Sequence, residues 1–345
     1  MESEYLEWVR TRKFGRFNLA SSGVLPCLLA ELDAHIEDLE INGPGLNGYP
    51  PLQEAIAAHC GVPVGCVVAA SGTSTANFIA MAALTKPGDE VLIEQPVYDP
   101  LLALAHYLGA NVRRFPRDRD LRDVVSGRTK VIVVTNLHNP TCQRLTEEQL
   151  TDLGGFAKDA GASVLVDEVY LECMYEKRRS AFHLGDDFVC TGSLTKAYGL
   201  GGLRCGWIIA RPDLAERMWR LKDLIEPSVP HPAEQLSVMA FAKLDRLARR
   251  AKAFIDPNRA LLVQFLRSCP HIELEVPEYG TCVFPRIMSG GADRLFELLH
   301  DRYDTDVVPG RFFEMPGHFR IGLGGDNEVF AAGLQRVNTA LEAMM

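Results

Sequence analysis

Short runs of β-branched and aliphatic residues recur along the first two thirds of the chain, at residues 67–70, 90–93, 111–115, 130–134, 162–166, 188–190 and 205–210. Most are almost continuously apolar instead of alternating, which is the pattern of strands buried on both faces. Stretches with helical spacing lie between them, at residues 75–84, 100–108 and 146–159. The last opens with Thr146-Glu-Glu-Gln149, where the threonine caps the helix and the glutamine reaches back. Alternation of this kind winds into a mostly parallel sheet sandwiched by helices, an α/β class.

After Glu226-Pro-Ser-Val-Pro-His-Pro232 the pattern changes to one long helix over 233–267, followed by short strands near Gly280 and Phe319. This predicts a smaller α+β domain, with 36–235 forming the large domain and 1–35 together with 236–345 the small one. The basic run from Arg246 to Lys252 has acidic neighbours and reads as a solvated helix face.

Composition narrows the function classes. With 345 residues, 47% hydrophobic and 23% charged, the chain has enough apolar material for a substantial core and no run long enough to cross a bilayer. A net charge of −9 argues against a nucleic-acid surface. The nine cysteines include no Cys-x-x-Cys pair and no spacing suited to zinc, so neither a disulfide framework nor a metal is expected. The early acids after Met1 do not read as an export leader, and the expectation is a cytoplasmic enzyme of small molecules.

Candidate chemistry gathers in five segments. Ser193-Leu-Thr-Lys196-Ala-Tyr-Gly-Leu-Gly-Gly-Leu-Arg204-Cys-Gly206 puts a lysine between hydroxyls just past a buried strand. Desolvation there lowers an ammonium pKa and yields an amine able to form a Schiff base; an ordinary loop lysine is the alternative. Asp167 ends another buried strand, where wound sheets place ligands, and serves equally well as a helix cap. Gly72, Thr73 and Ser74, between a strand and a helix, offer N–H groups to a phosphate or simply cap the helix. Asn139, in Asn136-Leu-His-Asn139-Pro-Thr141, reads as a site residue or a common turn. Arg320, in His318-Phe-Arg320-Ile-Gly, has the geometry to fork onto a carboxylate or to form a surface ion pair. Glu168 and Glu172 are expected to be solvated. Gly43-Pro-Gly-Leu-Asn-Gly48 spells the dinucleotide fingerprint, but it follows an acidic helix-like stretch instead of a strand, so nicotinamide binding is rejected.

The lysine segment resembles the class I/II aminotransferases among the fold-type I pyridoxal-phosphate-dependent enzymes, whose pattern is Ser-x-Ser/Thr-Lys followed by Gly-x-x-Gly-x-Arg-x-Gly. The resemblance runs from about Asn18 to Gly324. It implies pyridoxal 5′-phosphate held as a Schiff base on Lys196, with its phosphate gripped by Arg204 and assisted by Ser193 and Thr195. It further implies that Asp167 pairs with the ring nitrogen, Tyr170 bonds the ring's phenolic oxygen and Tyr98 stacks on the ring. Asn139 would touch that oxygen and the substrate carboxylate, and Arg320 would take the carboxylate. The segment Ser21-Ser-Gly23-Val24, residues 47–49 and residues 228–232 would line the substrate pocket, and none of them offers a second arginine for an acidic substrate. The activity implied is ping-pong transfer of an amino group between an amino acid and a 2-oxo acid by a homodimer. A lyase, decarboxylase or cyclase of the same fold is the alternative, and a non-catalytic regulatory module, which would carry a DNA-binding head, a more distant one. Two departures stand out: Cys142 replaces the family's glycine after Asn-Pro-Thr, and the family's interface tyrosine is absent, with Tyr49 falling one residue after Gly48.

Overall fold

The structure, a computed structural model, describes residues 2–43, 48–117, 121–288 and 291–344. The chain opens with α1 (Glu4–Thr11) and the two-residue strand β1 (Phe17–Asn18). An extended arm then leads to α2 (Pro50–Cys60), which starts on two prolines and stops at Gly61, where φ is +68°. There follow β2 (Val67–Ser71), α3 (Gly72–Leu84), β3 (Glu90–Gln95), α4 (Asp99–Tyr107), β4 (Asn111–Pro116), β5 (Thr129–Thr135), α5 (Glu147–Ala160), β6 (Ser163–Asp167), β7 (Phe188–Ser193), α6 (Thr195–Tyr198), β8 (Cys205–Ile209) and α7 (Pro212–Lys222).

These seven strands form one sheet in the order β2-β8-β7-β6-β5-β3-β4. Neighbours are parallel except for β8, which runs antiparallel to both β2 and β7. The near-continuous apolar runs have the expected consequence, because successive side chains fall on opposite faces and both faces are covered. Val91, Ile93, Val131 and Val133 pack into the core beneath α3 and α7, whereas Leu92, Ile132, Val134 and Val164 pack into the other core, with Leu150 and Leu153 of α5. At the start of α5, Gln149 N donates to Thr146 Oγ1 at 3.1 Å and Thr146 N donates to Gln149 Oε1 at 2.8 Å, the capping box that the local sequence predicts.

The C-terminal part contains α8 (His231–Phe241), α9 (Leu244–Ser268), β9 (Ile272–Glu273), β10 (Cys282–Val283), β11 (Arg286–Ile287), α10 (Ala292–Tyr303), β12 (Thr305–Asp306), β13 (Val308–Pro309), β14 (Phe319–Gly322) and α11 (Asn327–Glu342). β14 lies antiparallel between β10 and β13, and β1 returns from the N-terminus to pair with β12.

Two expectations are corrected. The single helix over 233–267 is two, α8 and α9, broken at Ala242 and Lys243. No glycine or proline marks that break; Lys243 leaves the helical path and its ammonium bonds Leu32 O and Asp33 of the arm. Nor is the basic run simply solvated. Arg250 donates to Leu25 O at 2.9 Å, to Pro26 O at 2.7 Å and to Glu31, pinning the arm against α9. Among the described residues no helix is long and apolar enough to cross a membrane, and no His/Cys/Asp/Glu cluster suits a metal.

Candidate active site

The parallel strands point their carboxyl ends at one place. β2 ends where α3 begins at Gly72, β5 leads to Asn139, β6 ends at Asp167, β7 ends at Ser193, and β3 leads to Tyr98. A cavity of about 120 Å³ at this edge is lined by Thr73, Ser74, Tyr98, Asn139, Asp167, Tyr170, Ser193, Lys196 and Arg204. Ligands of wound sheets sit outside the strands' carboxyl ends, and with Thr195, which also lines the cavity, ten of the residues singled out from sequence meet there. The other three border it: Gly72 lies under Arg204, Arg320 reaches it through Asn139, and Gly23 lines an adjoining cavity with Lys196. A larger cavity of about 600 Å³ beside α5 holds none of these groups.

Asp167 is 3% exposed, and burial pushes its carboxyl up to about 6. Opposing that rise, Val169 N donates to Oδ1 at 3.0 Å, Asn77 Nδ2 donates to Oδ2 at 2.8 Å, and the Lys196 ammonium adds a smaller pull. Asn77 is held in turn by the Thr191 hydroxyl, which donates to its Oδ1 at 2.6 Å. Lys196 Nζ donates to Ser22 Oγ at 3.0 Å. Burial, followed by the field of Arg320, pulls the lysine down to about 8, so about a tenth of it is free amine at pH 7.

Two hydroxyls in the cavity lack partners. Tyr170 Oη and Thr73 Oγ1 are buried and find no hydrogen-bonding group among the described residues. Buried polar atoms in native proteins are nearly always satisfied, so each calls for a ligand atom. Thr73 sits at the N-terminus of α3, whose free N–H groups favour an anion, and Arg204 Nη2 closes over it by donating to Ser71 O at 3.1 Å. Gly72 has φ +78°, and a Cβ there would collide with the Arg204 guanidinium, so only glycine fits this cradle. An anion cradle, a buried carboxylate, an unpaired phenol and an activatable amine together fit pyridoxal phosphate: Gly72, Thr73, Ser74, Ser193 and Arg204 could hold its phosphate, Asp167, Tyr170 and Asn139 its ring.

Arg320 is 1% exposed on β14, and among the described residues no carboxylate pairs with it. Its Nη1 donates to Asn139 Oδ1 at 3.1 Å and its Nη2 to the Tyr5 hydroxyl at 2.8 Å, while Nε is buried without an acceptor. A guanidinium cannot shed its proton, so this charge demands an anion.

Sequence reasoning missed three residues of the site. Asn77 carried a signal, an asparagine at an interior, buried helix position where that residue type is disfavoured. Ser22 fell inside a suspected pocket segment without a role, and nothing local marks Tyr5. The expectation that Glu168 and Glu172 are solvated is wrong: they are 7% and 5% exposed. Ala181 N donates to Glu168 at 2.7 Å, and Glu172 meets His59 at 2.9 Å, the Tyr198 hydroxyl at 3.1 Å and Arg178 at 3.4 Å. Cys142 does adopt positive φ, +56°, despite its side chain, at a cost of about 1–2 kcal/mol. Gly280 makes the room, since a Cβ there would run into Cys142. Tyr49 packs edge-on against His231, 4.8 Å between centroids, and does not line the 120 Å³ cavity; Asn47, together with the rest of 44–47, lies outside the described residues.

Comparison with known proteins places these features among relatives. The family profile described as aminotransferase class I and II matches residues 19–337. Capreomycidine synthase of Streptomyces vinaceus is 31% identical, the match covering 97% of this chain and 92% of that protein. Among solved structures, a pyridoxal-phosphate-dependent aminotransferase from Streptococcus suis superimposes with a TM-score of 0.92 at 23% identity, over 100% of this chain and 98% of that one. The pyridoxal-phosphate-dependent cyclase OrfR does so with a TM-score of 0.90 at 26% identity, over the same shares.

Proposed function

The chain belongs to the class I and II aminotransferases, enzymes that use pyridoxal phosphate on the fold-type I architecture, and from that premise we propose that it moves an amino group from an amino acid to a 2-oxo acid in ping-pong order. When bound, pyridoxal phosphate supplies an aldehyde that captures amines and a ring that takes up the electron pair left when a bond at the substrate Cα breaks. Asp167, buried at the strand ends, would hold the ring nitrogen and favour its protonated form. Tyr170 would hold the ring's phenolic oxygen through its unpaired hydroxyl, and Tyr98 would hold the ring itself. Arg320 and Asn139 orient the substrate by its carboxylate, with Gly23 leaving room for the backbone. Lys196, partly neutral at physiological pH, takes the Cα proton at Nζ, and Ser22 holds that amine in position.

One observation carries the reading: an amine brought down to about 8, a buried carboxylate brought up to about 6 and a guanidinium without a counter-ion border one cavity. Perturbed pairs of this kind mark acid–base sites.

A second outcome of the same proton removal is cyclisation, favoured by the similarity to capreomycidine synthase and OrfR. A half-reaction separates the two. Holoenzyme mixed with an amino acid alone should convert to the pyridoxamine-phosphate spectrum with one equivalent of oxo acid released. Return of the starting spectrum with the amino group retained in a ring product would establish cyclisation instead.

The division into domains 36–235 and 1–35 with 236–345 is part of this proposal, supported by the pairing of β1 with β12. So is a homodimer. Leu28, Ile36, Ile41 and Leu224 are 67–84% exposed, apolar surface that a second copy would cover; sedimentation measures it. Nine free cysteines fit a reducing, cytoplasmic setting.

A further inference from the structure

Tyr5 stands at the meeting point of the carboxylate-binding arginine and the two cavities that open from Lys196. Its hydroxyl accepts from Arg320 Nη2, which leaves its own hydrogen free, with no acceptor among the described residues. Its ring lies 5.4 Å from the Arg320 Cζ and Phe313 lies 5.1 Å from it, so the buried guanidinium is balanced by a lone pair and two π faces instead of a carboxylate. The tyrosine is itself held. Tyr98 and Phe312 pack edge-on against it at 5.8 and 5.9 Å, and the Ser3 hydroxyl ties α1 to Asp99 at the head of α4.

The same helix walls the outer cavity, about 490 Å³, that adjoins Lys196 and Gly23. Leu6, Trp8 and Val9 of α1 and Phe14 beyond it contribute apolar surface, and among the described residues Lys196 is the one charged member of the lining. A second carboxylate on the substrate would meet apolar surface there, and among the described residues no cation of the lining except the reacting amine. Aliphatic and aromatic surface is well matched to an uncharged side chain.

We propose that Tyr5 is a substrate-binding residue, which joins Arg320 in binding a single α-carboxylate, and that its helix, by the apolar wall it gives the outer cavity, selects amino acids whose side chains are uncharged and largely apolar. The inference rests on the function proposed above and names the substrate class of that site. The hydroxyl both fixes the guanidinium and donates to the carboxylate, so its loss weakens every α-carboxylate alike, in the ground state as in the transition state.

Calorimetric titration of the holoenzyme with two unreactive acids, 3-phenylpropionate and glutarate, tests selectivity without any variant. The monocarboxylate should bind at least about tenfold tighter. Tyr5→Phe, which keeps the ring, should weaken 3-phenylpropionate about tenfold and raise KM for neutral amino donors by the same factor, with kcat within about twofold. Equal or tighter binding of glutarate overturns the substrate class, and an unchanged affinity and KM in Tyr5→Phe overturns the role of the hydroxyl. Failure of the parent reading looks different: no amino acid would perturb the visible spectrum, whereas the heat of carboxylate binding would remain measurable.

Discussion

Asn77 Nδ2 donates to Asp167 Oδ2 across 2.8 Å, so a helix on one side of the sheet positions the carboxylate at the end of β6, the sheet's fifth strand in chain order. Burial makes Asp167 costly to ionise while the cofactor is absent, and this bond offsets only part of that cost.

Asp167→Asn should therefore stabilise the apoprotein while ruining turnover. A carboxyl raised from 3.8 to about 6 binds more protons folded than unfolded between those values, so its contribution to stability falls as pH rises through that window and is fully lost above about 6. That rise corresponds to about 3 kcal/mol. Loss of the bond from Asn77 takes back about 1 kcal/mol. Urea unfolding of apoprotein at pH 8 should show the variant about 2 kcal/mol more stable, and at pH 4 that advantage should nearly vanish, while holoenzyme kcat falls by about 10² or more.

Lys196 should capture aldehyde with an unusual pH dependence. Its amine is freed as pH rises through about 8, well below the ordinary lysine value of 10.5. The rate at which apoprotein develops the visible band with pyridoxal phosphate should climb between pH 7 and 9 and then level off. Lys196→Ala should show no band and lose about 10³-fold or more in turnover; a retained band would refute the assignment.

Gly72→Ala should act chiefly on the phosphate cradle. The added methyl needs φ +78° and meets the Arg204 guanidinium, which must leave Ser71 O. Equilibrium titration with pyridoxal phosphate should give an affinity about tenfold or more weaker, equivalent to about 1.4 kcal/mol. Global stability should drop by about 1 kcal/mol.

Glu172 joins the loop after Tyr170 to the helix of Lys196 through the Tyr198 hydroxyl. Burial alone would push its carboxyl up, but His59, then Arg178 and Tyr198, outweigh that and hold it below its ordinary value. Glu172→Leu should cost about 3–5 kcal/mol at pH 7, because it strands buried polar partners. A lowered carboxyl lends stability above its unfolded value of 4.5 that is lost as pH falls through the folded value, so unfolding curves of variant and wild type should converge in acid.

Six of the seven strands of the sheet were legible because burial on both faces leaves an apolar run, a mark written in adjacent residues, whereas β4, at the edge, is exposed at Asn111, Arg113 and Pro116 and lacks one. The capping box of α5 and the cluster of site residues were legible for a related reason: they lie in short contiguous segments that begin where a strand ends. The break at Lys243, the burial of Glu172 and the accommodation of Cys142 by Gly280 were not.

The chain by itself determined which residue types stand at the carboxyl edge of the sheet: Lys196, Asp167, Tyr170, Arg204 and the helix start at Gly72. Tertiary structure alone decided what each of them faces. Asn77 and Asp167 are 90 residues apart, Ser22 and Lys196 are 174 apart, and Tyr5 and Arg320 are 315 apart. Hydrogen bonds between such distant segments impose no period and no local composition, because they depend on how packed layers bring chain ends together, and only the folded chain contains that information.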